Sequence, residues 1–477
     1  MNRTTLIFTP SRLDDIADTR SSQMTMFHSV GFYDLPFDIV YEVFSLAAIH
    51  DPEWAPVVIS HCCRRWREDS LNSPLLWSRI TFRRSFPKRI NEDFSLKQKI
   101  WIERSKESPL EIMIGRQATK NKRAWMTPTF GDPSITRILK LILPQSHRWQ
   151  LLKIDDITDQ AWRYVCDKLR AVDAPMLTRL EFFLPWNLSN KKPTLFKNRT
   201  GAPNVRELAV GAGVEFHKWQ GHLFQTLTTF TYGQITMDPE LVDYRHLTPF
   251  LSNNPDLERL TLTWQISDSY LLLPPPIASI ALPKLVDITL TKLVLYGQSI
   301  GEMTARFLLH LDAPNLTNIY PPRFDPSALK MLASVPRVSF AKIQHFGIGV
   351  QPFSSDRDID VIALVRVLSQ LHDLRSFSLD YGKVPRGQVG DWSSLIITPF
   401  CKHYPLLDTL VFHEQYSKYA ADHPNSCIEP AFLQRIVEER RLHPLLKNIH
   451  TLDIGRMLIS QEQKAWFMEN IPKFIHQ

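Results

Sequence analysis

The sequence predicts an α/β protein in which a small helical unit precedes a long stack of parallel strands and helices. An apolar triplet with fixed internal spacing recurs along most of the chain. The segments between its copies, such as 159–172 and 358–371, carry apolar residues at helical spacing. Ahead of the first copy, residues 35–77 hold two short pieces with helical periodicity.

The triplet is an apolar residue, a second one three positions later and a third two positions after that. Its spacing ranges from 22 residues, between Val205 and Leu227, to 42 residues, between Leu407 and Ile449. The copies are Trp149/Leu152/Ile154, Leu177/Leu180/Phe182, Val205/Leu208/Val210, Leu227/Phe230/Tyr232, Leu257/Leu260/Leu262, Leu285/Ile288/Leu290, the incomplete Leu316/Ile319, Ile343/Phe346/Ile348, Leu374/Phe377/Leu379, Leu407/Leu410/Phe412 and Ile449/Leu452/Ile454. In most copies a proline two residues ahead sets the turn that enters the strand, at Pro175, Pro203, Pro255, Pro283, Pro314 and Pro405.

This spacing is the L-x-x-L-x-L signature of a leucine-rich repeat. The last two apolar residues of each triplet alternate on a strand and point inward, and stacked neighbours complete the core. We therefore expect a leucine-rich-repeat solenoid with parallel strands on its concave side and helices on its convex side. The asparagine that usually follows each strand is missing, for example at Ile157, Pro185 and Gln265, which predicts an irregular stack. A non-solenoid α/β arrangement is the alternative.

The segment from Leu35 to Trp77 predicts two amphipathic helices that cannot close a core alone. Pro36 suits a first helical turn, where its missing N–H needs no partner. The apolar positions of the first piece are Pro36, Ile39, Val40, Val43, Phe44 and Ala47, and those of the second are Val57, Val58, Ile59, Cys62, Cys63 and Trp66. Such helices need a partner surface.

This segment resembles the F-box of the large families found in mushroom-forming fungi. The resemblance rests on Leu35-Pro36-x-x-Ile39-x-x-x-Val43-Phe44, on Ile59-Ser60-His61-x-Cys63-Arg64-Arg65-Trp66-Arg67 and on Ser73-Pro74-x-Leu76-Trp77. It implies a helical unit that docks on the Skp adaptor protein and, through it, on the cullin and RING subunits of an SCF-type ubiquitin ligase. It also implies an adaptor-binding surface made of Leu35, Pro36, Ile39, Val43, Phe44, Cys63 and Trp66. The alternative is that these side chains form an ordinary intramolecular core.

Composition is that of a folded protein, with 44% apolar and 22% charged residues in a chain of 477. We expect a flexible tail over 1–30, the F-box-like unit over 31–84 and the repeat domain over 85–477. Five cysteines without C-x-x-C spacing, no signal-like segment and no long apolar run predict a protein of the cytoplasm or nucleus. The net charge of +7 is scattered, and no nucleic-acid-binding module is recognisable.

Residues that flank the inward pair of each triplet should face the groove of the solenoid. Most are small or polar, which also suits ordinary solvent-facing strand positions. The acidic members outnumber the basic ones, and no arginine cluster is present of the kind that reads phosphorylated motifs. We select as candidate substrate contacts Arg179, Glu181, Arg259, Asp287, Tyr320, His345, Asp380 and His413.

No motif for catalysis, metal binding or cofactor binding is found. His413-Glu414 lacks a second histidine at zincin spacing, and no nucleophile elbow or phosphate-binding loop occurs. Together with the resemblance to the F-box, which implies a substrate adaptor of a ubiquitin ligase, this favours a non-catalytic, cofactor-free and metal-free protein that binds an unknown protein substrate, with neither a membrane nor nucleic acid as partner. A repeat scaffold outside the ubiquitin system and a cryptic hydrolase are the alternatives.

Overall fold

The computed structural model describes residues 35–51, 54–83, 93–115, 132–155, 157–183, 201–211, 224, 226–233, 244–264, 279–292, 305, 307–320, 323–324, 326–334, 340–350, 361–381, 403–414, 430–455, 457 and 459–476. The expected tail over 1–30 lies outside them. The helices are α1 (Phe37–His50), α2 (Ala55–Cys62), α3 (Arg64–Leu71), α4 (Asp93–Arg104), α5 (Asp132–Ile142), α6 (Asp159–Leu169), α7 (Tyr244–Ser252), α8 (Pro326–Ala333), α9 (Val361–Leu368), α10 (Pro430–Leu442) and α11 (Gln461–Asn470).

The strands are short and spread over the chain from residue 79 onward. They are β1 (Arg79–Arg83), β2 (Leu110–Gly115), β3 (Trp149–Asp155), β4 (Arg179–Phe183), β5 (Glu207–Val210), β6 (Thr229–Gly233), β7 (Arg259–Trp264), β8 (Ile280–Ala281), β9 (Asp287–Lys292), β10 (Leu311–Asp312), β11 (Asn318–Tyr320), β12 (Arg323–Phe324), β13 (His345–Val350), β14 (Ser376–Tyr381), β15 (Thr409–Glu414), β16 (Thr451–Asp453) and β17 (Lys473–Ile475).

Fifteen of these strands form one long parallel sheet. Fourteen lie side by side in chain order, with β12 attached to β13, while β8 and β10 form a separate pair. Each predicted triplet falls on or beside a strand, so the α/β class and the strand positions are confirmed. The triplets did not predict β1 and β17, which form the two ends of the sheet.

The alternation of side chains along each strand separates an inner face from an outer one. Leu152 and Ile154 of β3 are completely buried, whereas Leu151 and Lys153 between and beside them are half-buried. Helices cover the inner face, as where Trp162 of α6 meets Phe182 with ring centroids 5.0 Å apart. We call the outward side chains of the sheet the open face.

A turn of one kind introduces most strands. The first triplet residue donates its N–H to the carbonyl three residues earlier, from Leu177 to Ala174 (3.1 Å) and from Leu285 to Leu282 (3.1 Å). Proline at the second turn position fixes φ without losing a needed donor. The same turn occurs at Leu257, Leu316, Leu374 and Leu407.

A backbone ladder just after these turns takes the place of the missing asparagines. At nine places between the entries of β5 and β16, one carbonyl accepts two consecutive N–H groups of the next unit. Thr178 O, for example, accepts from Arg206 and Glu207 at 2.9 and 3.0 Å. The pattern repeats at the carbonyls of Arg206, Thr228, Glu258, Val286, Thr317, Gln344, Arg375 and Asp408. Regular stacking at the strand entries thus does not require a side-chain ladder.

The N-terminal helices pack into a cluster of their own, which we call the head (residues 35–78). Its buried members are Val40, Phe44, Ala48, Ile59, Leu76 and Trp77. The sequence predicted one helix across 57–66, and this was wrong. Cys63 is extended (φ −156°, ψ 170°) and divides the stretch into α2 and α3, with its Sγ accepting the N–H of Trp66 at 3.4 Å.

The head is joined to the sheet by packed contacts. Trp77 donates its indole N–H to Ser70 O at 2.8 Å, and its ring meets Trp101 of α4 edge-on at 5.4 Å. Its near neighbours in sequence, Ile80 and Phe82, already belong to the sheet core on β1. The sheet therefore begins before residue 84, where the sequence placed the end of the F-box-like unit.

Two buried arginines, Arg148 and Arg440, donate hydrogen bonds to backbone carbonyls at helix ends and turns. Arg440 is completely buried and donates to the carbonyls of Tyr404, Leu407 and Lys447 at 2.6 to 3.1 Å. Arg148 binds carbonyls at the end of α4, including those of Ile102 and Ser108. Burial lowers the pKa of Arg148, although the nearby charge of Glu107 opposes this effect.

We expect Arg440→Met to lower the free energy of unfolding of the C-terminal repeats by about 3 kcal/mol, because buried carbonyls lose their donors. Urea unfolding followed by tryptophan fluorescence measures this. Arg435→Met is the matched control on the same helix, where the Glu439 pair is solvent-exposed and a change below about 0.5 kcal/mol is expected. Equal effects of the two substitutions would contradict the role assigned to Arg440.

Candidate functional site

Helix α1 carries apolar stripes on two sides. Val40, Phe44 and Ala48 form the stripe that faces the core of the head, and their exposed fractions are 1%, 1% and 6%. Ile39, Val43 and Leu46 form a second stripe, and their exposed fractions are 48%, 41% and 49%. At 3.6 residues per turn these two sets lie on different faces of the helix. We call Ile39, Val43 and Leu46 the outer stripe.

Further large apolar side chains of the head are exposed. They come from the ends of α1, from the segment before α2, from α2 itself and from the short 3-10 turn that follows α3. They are Phe37, Ile49, Trp54, Val58 and Leu75, each at least half exposed. Because single exposed apolar residues are common on any protein, the outer stripe on one helix is the stronger sign of an interaction surface.

The structure divides the seven residues expected to bind an adaptor. Pro36, Ile39 and Val43 are exposed, and Leu35 is half-buried with its carbonyl accepting a hydrogen bond from Arg65 Nη2 at 3.1 Å. These four have surface available to another molecule.

Of the other three, only Phe44 needs correction, because it is buried in the head. Cys63 and Trp66 are half-buried, like Leu35, and their contact with an adaptor stays a prediction, although both also serve the head itself. Phe44 lies in its core, Trp66 packs edge-on against Phe44 at 5.1 Å, and Cys63 caps α3. Leu46 was missed, although its position seven residues after Ile39 places both on one helical face.

The open face of the sheet brings several of the expected substrate contacts into line. The strand register joins Arg179, Arg259, Asp287 and His345 in a single row across the sheet, through Glu207, Thr229 and Asn318. Glu181 and Tyr320 belong to the next row, two residues further along their strands. Asp380 and His413 are register neighbours on β14 and β15, and their side chains lie outside the described residues.

At the N-terminal end of the open face, most charged side chains form ion pairs with one another. Glu181 accepts from Lys153 at 2.9 Å and from Arg179, and Arg179 also reaches Glu207 at 3.5 Å. Glu181 is buried and therefore offers a partner no free carboxylate, which corrects its selection as a substrate contact. Arg79 and Glu111 form a similar pair at 2.8 Å between β1 and β2.

A different arrangement surrounds Asp287 in the middle of the sheet. The amide of Asn318 donates to Asp287 Oδ1, and Tyr320 stands on the same face of β11 with 44% of its surface exposed. Partial burial, and then the negative charge of Asp287, raise the pKa of the Tyr320 phenol. The neighbouring Arg259 directs its Nε to Thr229 Oγ1 at 3.0 Å, away from Asp287.

Three observations bear on chemistry elsewhere. Within the described ranges, no group of three or more histidine, cysteine, aspartate or glutamate side chains is placed to hold a metal ion. Of the cysteines there, Cys62, Cys63 and Cys166 are free thiols, and burial raises the pKa of Cys166. The helices of the described part of the chain include none with the length and apolar character to cross a bilayer.

No protein-family model matches this chain, and no curated protein does.

We expect Phe44→Ala to lower the free energy of unfolding by about 3 to 5 kcal/mol, because it empties the core of the head. Val43→Ala, one residue earlier, should change it by less than about 0.5 kcal/mol, because Val43 faces solvent. Thermal unfolding monitored by circular dichroism compares the two variants. If Val43→Ala were as destabilising as Phe44→Ala, the assignment of two stripes to α1 would be wrong.

Proposed function

We propose that this chain is the substrate-recognition subunit of an SCF-type (Skp–cullin–F-box) ubiquitin ligase. The head binds the Skp adaptor, and the open face binds the protein to be ubiquitinated. The chain itself makes and breaks no bond. The observation that carries the proposal is the outer stripe of α1, which is apolar and exposed on a helix whose other stripe already fills the core.

Physical reasoning favours a partner for the outer stripe. A surface helix of a globular protein normally presents polar residues opposite its buried side. Ile39, Val43 and Leu46 do not serve the core of the head, and covering the exposed half of each would contribute about 0.7 to 1.5 kcal/mol. This supports a protein partner that covers the stripe.

The sequence motif indicates which partner. Ile39 and Val43 of the outer stripe are also positions at which the segment resembles an F-box, and Pro36 beside them is exposed. In that family these positions contact the Skp adaptor. The long parallel sheet agrees with a leucine-rich-repeat domain, and we propose further that its open face is the concave side of the solenoid.

Rigid attachment of the head supports a positioning role. Trp77 of the head packs against Trp101 of α4, and α4 also contributes Ile102 to the sheet core. A ligase subunit of this kind accelerates transfer by holding substrate lysines near the conjugating enzyme. A packed junction restricts the orientation of a substrate on the open face relative to an adaptor on the head.

The alternative is a repeat scaffold outside the ubiquitin system, and one observation favours it. Phe44 and Trp66 are used for internal packing, and Trp101 from α4 completes the same cluster. The head is therefore partly a structural end piece of the sheet. A scaffold accounts for the stripe of Val40, Phe44 and Ala48, which packs in the core of the head. It does not account for the exposed outer stripe, so we prefer the ligase subunit.

We expect Val43→Asp to reduce co-purification of the full chain with the Skp adaptor by more than about tenfold, because a charge would be buried at the contact. Ile39→Asp should act in the same direction. Met176→Asp is the matched control, since it places the same charge on an exposed apolar residue outside the head.

Unfolding midpoints of the three variants should stay close to that of the parent chain, because all three positions are exposed. An adaptor association that survives both Val43→Asp and Ile39→Asp in folded protein would rule out the proposed contact. Failure of the parent chain to bind the adaptor at all would favour the scaffold.

A further inference from the structure

Asp287, in the middle of the sheet, differs from the acidic side chains at the N-terminal end of the open face. Glu111, Glu181 and Glu207 each pair with an arginine or lysine of the same or a neighbouring strand. Among the described residues, Asp287 has no ion pair, and its hydrogen-bond donor is the neutral amide of Asn318. The nearest cation in its register row, Arg259, turns to Thr229 instead. The negative charge of the Asp287 carboxylate is therefore not neutralised by a described cation and can attract a cationic ligand.

A second acceptor beside it also lacks a donor. Asn318 Oδ1 is buried and has no hydrogen-bond partner in the structure, although Nδ2 of the same amide donates to Asp287. Buried polar atoms are normally satisfied, so an unpaired one calls for an explanation. Because Asn318 Oδ1 is covered, the acceptor left for a ligand is the Asp287 carboxylate, which favours a ligand that brings N–H groups.

An exposed aromatic ring borders these acceptors. Tyr320 follows Asn318 by two residues on the same strand face, and Thr289 lies opposite it in the register. On its other side is Gly347, where an added Cβ would come within 3.4 Å of Tyr320 Cδ1. The glycine therefore leaves room for the ring to lie low over β13.

We propose that Asp287, Asn318 and Tyr320 form a binding site for an arginine side chain of the protein substrate. This inference rests on the proposed function, because it names the substrate feature that the open face recognises. The planar guanidinium stacks on the Tyr320 ring while its N–H groups donate to the Asp287 carboxylate, which the Asn318 amide holds in place. Arginine fits better than lysine, since only its planar group can stack and donate in several directions at once.

The overall charge of the protein argues for a local site. With a net charge of +7, the chain repels a basic peptide at long range. Any arginine binding must therefore come from a small region with available acceptors. The N-terminal strands of the sheet do not supply one, because their carboxylates are paired.

The test measures binding of the full chain to a fluorescein-labelled peptide of glycine and serine with two arginines, by fluorescence anisotropy. Its comparison peptides carry citrulline or lysine in place of arginine. We expect saturable binding of the arginine peptide and at least about tenfold weaker binding of the citrulline peptide, which lacks the charge. The lysine peptide should bind with intermediate affinity.

Variants assign the binding to Asp287 and Tyr320. Asp287→Asn and Tyr320→Ala should each weaken binding about tenfold, whereas Tyr320→Phe, which keeps the ring, should weaken it less than threefold. Asp287→Asn retains an oxygen that can accept from Asn318, so folding should be preserved. Glu111→Gln is the matched control, a carboxylate on the same face that is already paired with Arg79.

Three results would overturn the site: equal binding of the citrulline peptide, no effect of Tyr320→Ala, or equal losses from Glu111→Gln and Asp287→Asn. Adaptor co-purification gives a separate readout. Asp287→Asn should leave co-purification with the adaptor unchanged, whereas Val43→Asp should reduce it more than about tenfold and leave arginine binding intact. The site on the sheet and the proposed role of the head can therefore fail independently.

Discussion

Parallel strand pairing, fixed by one carbonyl per unit, is the constraint on which this structure depends. At the entries of β5, β6, β7, β9, β11 and β13 to β16, two consecutive amides donate to a single carbonyl of the preceding unit, as Thr228 and Thr229 do to Arg206. This sets the register before the first apolar residue of the strand is reached. Units of very different length can then stack, because the intervening loop does not enter the ladder. Inward positions are buried together and outward positions form continuous rows.

Those rows give the open face its chemistry. Cross-strand pairs neutralise the charges at the N-terminal end, so that Glu181 supports the sheet and is not displayed. The centre, around Asp287, keeps acceptors that no described cation occupies. At the far N-terminal end, β1 and the Trp77–Trp101 contact attach the head, whose helix α1 has apolar residues on two sides. The protein thus has an apolar surface on the head, the outer stripe of α1, and a polar surface on the sheet, the open face, joined by a packed contact.

The positions of the strands could be predicted from the sequence, but which side chains are exposed on the head and on the open face could not. Triplets such as Leu257/Leu260/Leu262 identify strands because both the turn and the inward pair need those positions apolar. In α1, Val43 and Phe44 are equally apolar, so periodicity cannot decide which stripe meets the core. The break at Cys63 depends on packing between α2 and α3, and the pairing of Glu181 depends on Lys153, nearly thirty residues earlier. Long-range contacts of this kind leave no local pattern.

Hydrogen–deuterium exchange of the full chain, with and without the Skp adaptor, tests the central claim most directly. Helix α1 has an outer stripe left for a partner, whereas each inner strand of the sheet already pairs with a neighbour on both sides. Adding the adaptor should therefore slow amide exchange in peptides covering 37–50 and leave peptides covering the strands from β3 to β16 unchanged. Unchanged exchange over 37–50 under saturating adaptor, or protection confined to the strands, would contradict it.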